Sequence, residues 1–270
     1  MTVTRLLAPR ALPMRRTRRS RPSGVVLLGC SLLLLAVGGC TTLVAGTPTS
    51  ALSQVTPAQL CPGTGSERED AATLVTCISS QVSDYWTSVL GEPVQAPRGV
   101  DPDPAAVPYE CRTFLAFGTA FYCPPDATVY ITGALLDLYA AELGDGLPYG
   151  LAFLLGHEFG HVAQHVVGQP ELSIPEPTYT DLRGLEQQAD CLAGVWVGAA
   201  AEAAKVNPAL FRVVAEQELT IISGLEPPPG VGLDDYDEVA THGSVEERLA
   251  AFDTGVAGGT GSACGLIGVN

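Results

Sequence analysis

Residues 149–168 read YGLAFLLGHEFGHVAQHVVG. Leu, Val, Ala, Gly and Phe fill most positions, which predicts a helix over 149–167 that is buried on most sides. Pro148 can open such a helix, and Gly168 with Pro170 stops it. Inside it lies His157-Glu158-Phe159-Gly160-His161, the pattern H-E-x-x-H, holding two of the four histidines in 270 residues. Residues four apart stand one helical turn apart on one face, so both imidazoles can reach a single ion with Glu158 beside it. Without partners, each buried polar side chain would cost ~1–3 kcal/mol in desolvation. A metal ion satisfies all three together, and the motif points to a zinc hydrolase.

A catalytic zinc takes three protein ligands and keeps one position open for water, so a third ligand must come from elsewhere. One arrangement places a third His six residues after the second, with Gly at the third. Here those positions hold Val167 and Gln164, which excludes it. The other takes a Glu from a following helix. Glu186 qualifies, because Asp190 follows one turn later on the same face and can accept the second ring N–H of a ligating histidine. Glu171, Glu176 and Asp181 are rival ligands, but they lie in a loop or at a helix start with no such companion. His165, two turns beyond His157, is too far to share the ion and reads as structural, since a helix C-terminus favours imidazolium.

Upstream, Ala72, Leu74, Val75, Ile78, Val82, Trp86 and Leu90 recur at helical intervals and predict a helix over 69–90 that ends at Gly91 and Pro93. Residues 94–110, rich in Pro and Asp, read as loop. Short strands are expected at 114–117, 120–122 and 128–132, separated by Gly and Pro-Pro, which together make a small antiparallel sheet. Tyr130 and Ile131 are placed on an edge strand that can pair with an extended substrate. A short helix is expected over 134–143, a long one over 181–205, and another from Asn207-Pro208 to about Ser223. Ser244-Val245-Glu246-Glu247 has the pattern of a capping box at a further helix start.

The first 39 residues hold seven of the fourteen basic residues and no acid, followed within them by the 13-residue apolar run 25–37. That composition reads as an export signal, and the run is short of the ~20 residues a spanning helix needs. Val37-Gly38-Gly39-Cys40 resembles a bacterial lipobox. This resemblance implies cleavage before Cys40 and acylation of that cysteine, an anchor on the extracytoplasmic face of the cell membrane. Residues 40–60 then form the lipidated end and a Thr-, Ser- and Pro-containing tether, and 61–270 a single domain. Without the leader, seven basic side chains stand against 29 acidic ones, a net charge of −22. Such a charge argues against nucleic acid as a partner. Cys61, Cys77, Cys111, Cys123, Cys191 and Cys264 remain, an even number that reads as three disulfides in an exported chain. Fifteen connectivities exist. Cys61 with Cys77 and Cys111 with Cys123 close short loops, which leaves Cys191 with Cys264.

The stretches GHEFGHVAQHVVG, LEQQADCLAGVW and THGSVEER, with CRTFLAFGTAFYCPPDATVYI upstream, resemble the bacterial "putative neutral zinc metallopeptidase" family, a gluzincin-type group. The resemblance runs over about residues 61–264. It implies an α+β fold, a predominantly helical zincin-like domain with a small antiparallel sheet and an H-E-x-x-H helix. It further implies one Zn2+ held by His157, His161 and Glu186, with Glu158 as catalytic base and Cys111 and Cys123 flanking a hairpin. Phe159, Gln187 and the acidic, Pro-rich residues 226–239 depart from the pattern, and these bear on substrate preference. The chemistry expected is hydrolysis of a peptide or protein substrate: zinc acidifies a water toward a pKa of ~7, and Glu158 takes its proton and returns it to the leaving amine. His242 is the candidate second donor to the developing oxyanion, or else it only ties its loop down; the role of Arg248 is open as well, the bland reading being a pairing with a carboxylate. Two other readings stay open, a metal-binding lipoprotein that assembles partners without turnover, and a zinc amidase acting on cell-wall material.

Overall fold

The computed structural model describes residues 60–65, 67–96, 98–116, 119–170, 179–225 and 241–269. The leader, Cys40, the tether to residue 59, Phe117, Glu171, Glu176 and the acidic stretch 226–239 lie outside the described residues. The elements run α1 (Ala71–Leu90), β1 (Arg98–Val100), α2 (Arg112–Ala116), β2 (Ala120–Cys123), β3 (Thr128–Ile131), α3 (Gly133–Leu143), α4 (Leu147–Val167), α5 (Tyr179–Ala204), α6 (Pro208–Ser223) and α7 (Val245–Gly258). Helices dominate and one small sheet accompanies them, an α+β composition. Among the described residues no helix is long and apolar enough to cross a membrane.

Helix α4 is the centre of the packing. Along it Leu147, Leu151, Ala152, Phe153, Leu155, Phe159 and Ala163 are buried, and α1, α5 and α6 all pack against it. Pro148 lies in its first turn, and Gly168, at φ 66°, ends it by donating its N–H to the carbonyls of Gln164 and His165. That is the left-handed helix ending glycine adopts without steric cost. Helix α1 contributes Leu74, Val75, Ile78, Val82 and Trp86 to the same core.

The most extensive helix contact is between α5 and α7. Glycine permits it. A Cβ on Gly194 would lie 2.1 Å from the Phe252 carbonyl oxygen, and one on Gly255 would lie 1.8 Å from the Cys191 carbonyl oxygen. The two backbones touch at these places, so α5 and α7 are locked in register. The Cys191–Cys264 disulfide joins the same helix to the residues just after α7; Cys61–Cys77 and Cys111–Cys123 close the two short loops.

The sheet differs from the all-antiparallel arrangement expected. Its order is β1-β3-β2, with β3 antiparallel to β2 and parallel to β1. The third strand is not 114–117, whose first residues belong to α2, but Arg98–Val100, inside the stretch read as loop. Three residues between Pro97 and Asp101-Pro102 carry no periodicity of their own. Their strand conformation comes from pairing with Val129, Tyr130 and Ile131. Gly99 is required in it, since a Cβ there would lie 2.4 Å from the Tyr130 ring. Tyr130 and Ile131 are therefore on the central strand, paired on both sides, and not on an edge.

Candidate metal centre

Helices α4 and α5 cross closely because small residues face each other: a Cβ on Gly156 or Gly160 would sit 3.1 Å from Ala193 or Ala189. This brings one turn of each helix, His157 to His161 and Glu186 to Asp190, to the same place. His157 and His161 extend their Nε2 atoms to within 3.2 Å of each other. Glu186 Oε2 lies 3.1 Å from both. His242, two residues before the Ser244 cap of α7, brings its own Nε2 to 3.1 Å from the same carboxylate oxygen. His157, Glu186 and His242 form a group whose ligand atoms all lie within 4.8 Å.

The nitrogens facing away from this point are held. Asp190 Oδ1 accepts the Nδ1–H of His157 at 2.8 Å. Gln164 Oε1 accepts the Nδ1–H of His161 at 2.9 Å, an orientation fixed because the same amide's Nε2 donates to the Leu185 carbonyl and to Gln188 Oε1, each at 2.9 Å. Both rings thus turn their Nε2 atoms toward Glu186 Oε2. Three such atoms 3.1–3.2 Å apart need a cation among them, a proton shared with Glu186 in the metal-free protein or a metal ion that replaces it. Ligand atoms around a four-coordinate zinc at 2.0–2.1 Å are about 3.3 Å apart, so the donor set fits that ion in chemistry and in spacing. These residues suit zinc.

The protonation balance reflects the same crowding. Burial alone would push the His157 imidazole down, but the charge and hydrogen bond of Asp190, and then Glu186, outweigh it and raise it to about 10. His161 is raised too, burial being outweighed by Glu186. Glu186 is held well below the usual carboxylate range, its burial overcome by His242, His161 and His157. Glu158, buried on the same helical turn, is raised by burial, with His157 and His161 pulling part of the way back. Side-chain exposure grows from 7% at His157 through 18% at His161 to 20% at Glu186 and 23% at His242. The site therefore opens on the Glu186 and His242 side.

Every described candidate converges here except His165 and Asp181. His165 is exposed, its Nδ1 2.6 Å from the hydroxyl of Tyr122 on β2. Asp181 is in the first turn of α5 and outside the metal-capable group. Gln164 and Arg248 add to this set, and Arg248 does pair with a carboxylate. Gln164 stands three residues after His161, a spacing at which helical side chains meet, and it supplies that histidine's second hydrogen bond. Arg248 donates from Nε to Asp190 Oδ2 at 2.9 Å and from Nη2 to Oδ1 at 3.0 Å. No local signal links residues 58 positions apart.

Among similar proteins are Uncharacterized protein YpfJ of Escherichia coli (strain K12), 27% identical over 194 residues, and Uncharacterized protein Rv2575 of Mycobacterium tuberculosis (strain ATCC 25618 / H37Rv), 27% identical over 157 residues. The first alignment covers 66% of this chain and 63% of the relative, the second 53% of each, so the chain spans less than two thirds of either relative. No solved structure is significantly similar to it. The family model described as "putative neutral zinc metallopeptidase" matches residues 14–209, taking in His157, Glu158, His161, Glu186 and Asp190 and ending short of the Thr241–Arg248 block. With well over half of its length matched, this chain belongs to the putative neutral zinc metallopeptidase family.

Proposed function

We propose that the protein is a zinc-dependent, gluzincin-type peptidase with a zincin-like domain, which hydrolyses peptide bonds outside the cytoplasmic membrane and is tethered there through Cys40. The observation that carries this reading is the triangle of His157 Nε2, His161 Nε2 and Glu186 Oε2, with edges of 3.1–3.2 Å, beside the buried Glu158 carboxylate. His157, His161 and Glu186 would hold the ion. Bound there, zinc supplies Lewis-acid polarisation of a peptide carbonyl and acidifies a water. Glu158 takes the proton of the attacking water and delivers it to the leaving nitrogen; its raised proton affinity suits a group that must hold the proton between those steps. His242, on the open side, donates from its ring to the developing oxyanion. Gln164 and Asp190 keep the two ligating rings from turning. The partner is a peptide or protein substrate, and a net charge of −22 without the leader argues against nucleic acid.

The test is zinc content and peptidase activity of the purified chain beside two variants. Glu186→Ala should lose bound zinc, whereas Glu158→Gln should keep it and lose activity by about 10²- to 10⁴-fold, the usual share of a general base. Full zinc content in Glu186→Ala would remove the third ligand from this reading. Full activity in Glu158→Gln would remove the base.

A further inference from the structure

Below the atoms that face the metal position lies a second polar layer. Asp190 is completely buried and accepts three N–H groups, one from His157 and two from Arg248. Arg248 is 4% exposed and, among the described residues, the only Lys or Arg side chain that is buried. It belongs to α7, beyond residue 209 where the family match ends. Taking an ion pair out of water costs several kcal/mol per ion, and apolar side chains of similar volume often stabilise a fold as well or better. Packing alone gives no reason for a guanidinium here. The geometry of the fork does: its two parallel N–H groups meet both carboxylate oxygens and leave Asp190 no freedom to rotate.

The fold places Arg248 with equal care. Ser244 and Glu247 close a reciprocal capping box at the start of α7, and the Arg248 N–H donates to the Ser244 carbonyl at 3.0 Å. Arg248, Phe252 and Gly255 follow at intervals of four and three, so they share one face of the helix. That face is the one whose Phe252 and Gly255 backbones touch Gly194 and Cys191 of α5. The helix contact that needs glycine therefore also sets the distance from Arg248 to Asp190.

We propose that Arg248 is a positioning residue of the metal centre: its guanidinium holds the Asp190 carboxylate in the orientation that takes the His157 Nδ1–H, so that the His157 Nε2 lone pair is presented to zinc. The segment after residue 209 thus completes the site, though it contributes this residue two contacts away from the metal. The inference rests on the zinc reading above.

A double-mutant cycle on the purified full chain tests it, with the zinc dissociation constant measured by competition with a chromophoric chelator. Arg248→Met should weaken zinc binding about tenfold to hundredfold, the usual effect of losing a partner behind a ligand. Arg248→Lys, which keeps the charge without the fork, should fall between. Asp190→Asn should weaken binding by a similar factor, and the double variant should bind no worse than Asp190→Asn alone, because Arg248 acts only through Asp190. Nitrogen-15 spectra of the zinc-loaded Arg248→Met protein should show the His157 Nδ1–H exchanging with solvent faster than in the wild type, as its bond to Asp190 loosens. If Arg248→Met does not fold, Arg248→Lys and Asp190→Asn carry the same comparison. Wild-type affinity in Arg248→Met, or losses that add in full in the double variant, would overturn the proposal. Failure of the zinc reading looks different: the wild-type chain would then bind no zinc, or His161→Ala would bind it undiminished.

Discussion

His157 and Glu186 meet in the structure as base and acid, each displaced in the direction the other favours. Burial works against both charges, but Asp190 and Glu186 raise the His157 imidazole to about 10, and His242, His161 and His157 hold Glu186 well below its ordinary value. Linkage gives the signs for the metal-free protein. An imidazole raised by folding stabilises the fold below its unfolded value of about 6.5. That contribution fades as pH rises through the folded value, about 10 for His157. The lowered carboxylates of Glu186 and Asp190 stabilise above about pH 4 and lose that effect as pH falls through their folded values. Glu158 and Glu218, both raised by burial, cost stability as pH climbs past about 4.5. Metal-free stability should therefore peak at about pH 4.5 and decline from there toward about pH 10. Zinc binding should run the other way, growing tighter with pH because the ion displaces ring protons. Titration calorimetry at pH 7 in buffers of different ionisation enthalpy should register the release of at least about one proton per zinc. Zinc binding with no proton release, or proton uptake, would contradict the protonation of His157 in the metal-free site.

At the scale of elements, the α5–α7 contact is held by backbone against backbone, and its glycines should not be exchangeable. A Cβ on Gly255 would lie 1.8 Å from the Cys191 carbonyl oxygen and 2.8 Å from the Val195 nitrogen. Backbone atoms cannot swing aside, so Gly255→Ala should destabilise by at least about 1–3 kcal/mol, the range for overpacking. Gly184, exposed within α5 and with nothing within 4 Å of its would-be Cβ, is the contrast. Gly184→Ala should stabilise by about 0.5–1 kcal/mol, through helix propensity alone. Denaturant unfolding of the two variants checks both signs at once; a neutral Gly255→Ala would mean that the helices can separate at no cost. What was legible in the sequence divides along the same line. Helices α1 and α4 are long enough for their apolar pattern to repeat, and the two turns that meet at the site follow from helical spacing within α4 and within α5. Gln164, three residues from His161, carried the same signal, but at the level of sequence it served only to exclude a third histidine ligand. Strand β1 was not, because Arg98, Gly99 and Val100 take their conformation from β3, and the parallel direction of that pairing is a property of the whole fold. Nor was the bond from Arg248 to Asp190, which depends on how closely two helices approach and not on a pattern within either.

Across the whole molecule, the candidate metal centre ties together parts of the chain that are distant in sequence. His157 and His161 come from α4, Glu186 from α5, and His242 from the residues leading into α7, while Cys191–Cys264 joins α5 to the chain after α7 across a separation of 73 residues. Unfolding must separate these ligands, and an unfolded chain has no preformed arrangement of them to offer the ion. Zinc binding should therefore appear as global stability. At a free concentration a thousand times the dissociation constant, the gain is about 4 kcal/mol. For a domain of this size, each kcal/mol moves the melting midpoint by about 2–4 °C, so zinc should raise Tm by about 8–16 °C over the protein held in chelator. Glu158→Gln should retain that rise, since Glu158 is needed for proton transfer and not for holding the ion. Glu186→Ala should lose most of it. Differential scanning calorimetry with and without chelator, under conditions that keep the disulfides intact, separates these outcomes. A midpoint indifferent to zinc would mean that the ion, if bound, does not bridge α4 and α5, and the triangle of His157, His161 and Glu186 would have to be abandoned as its seat.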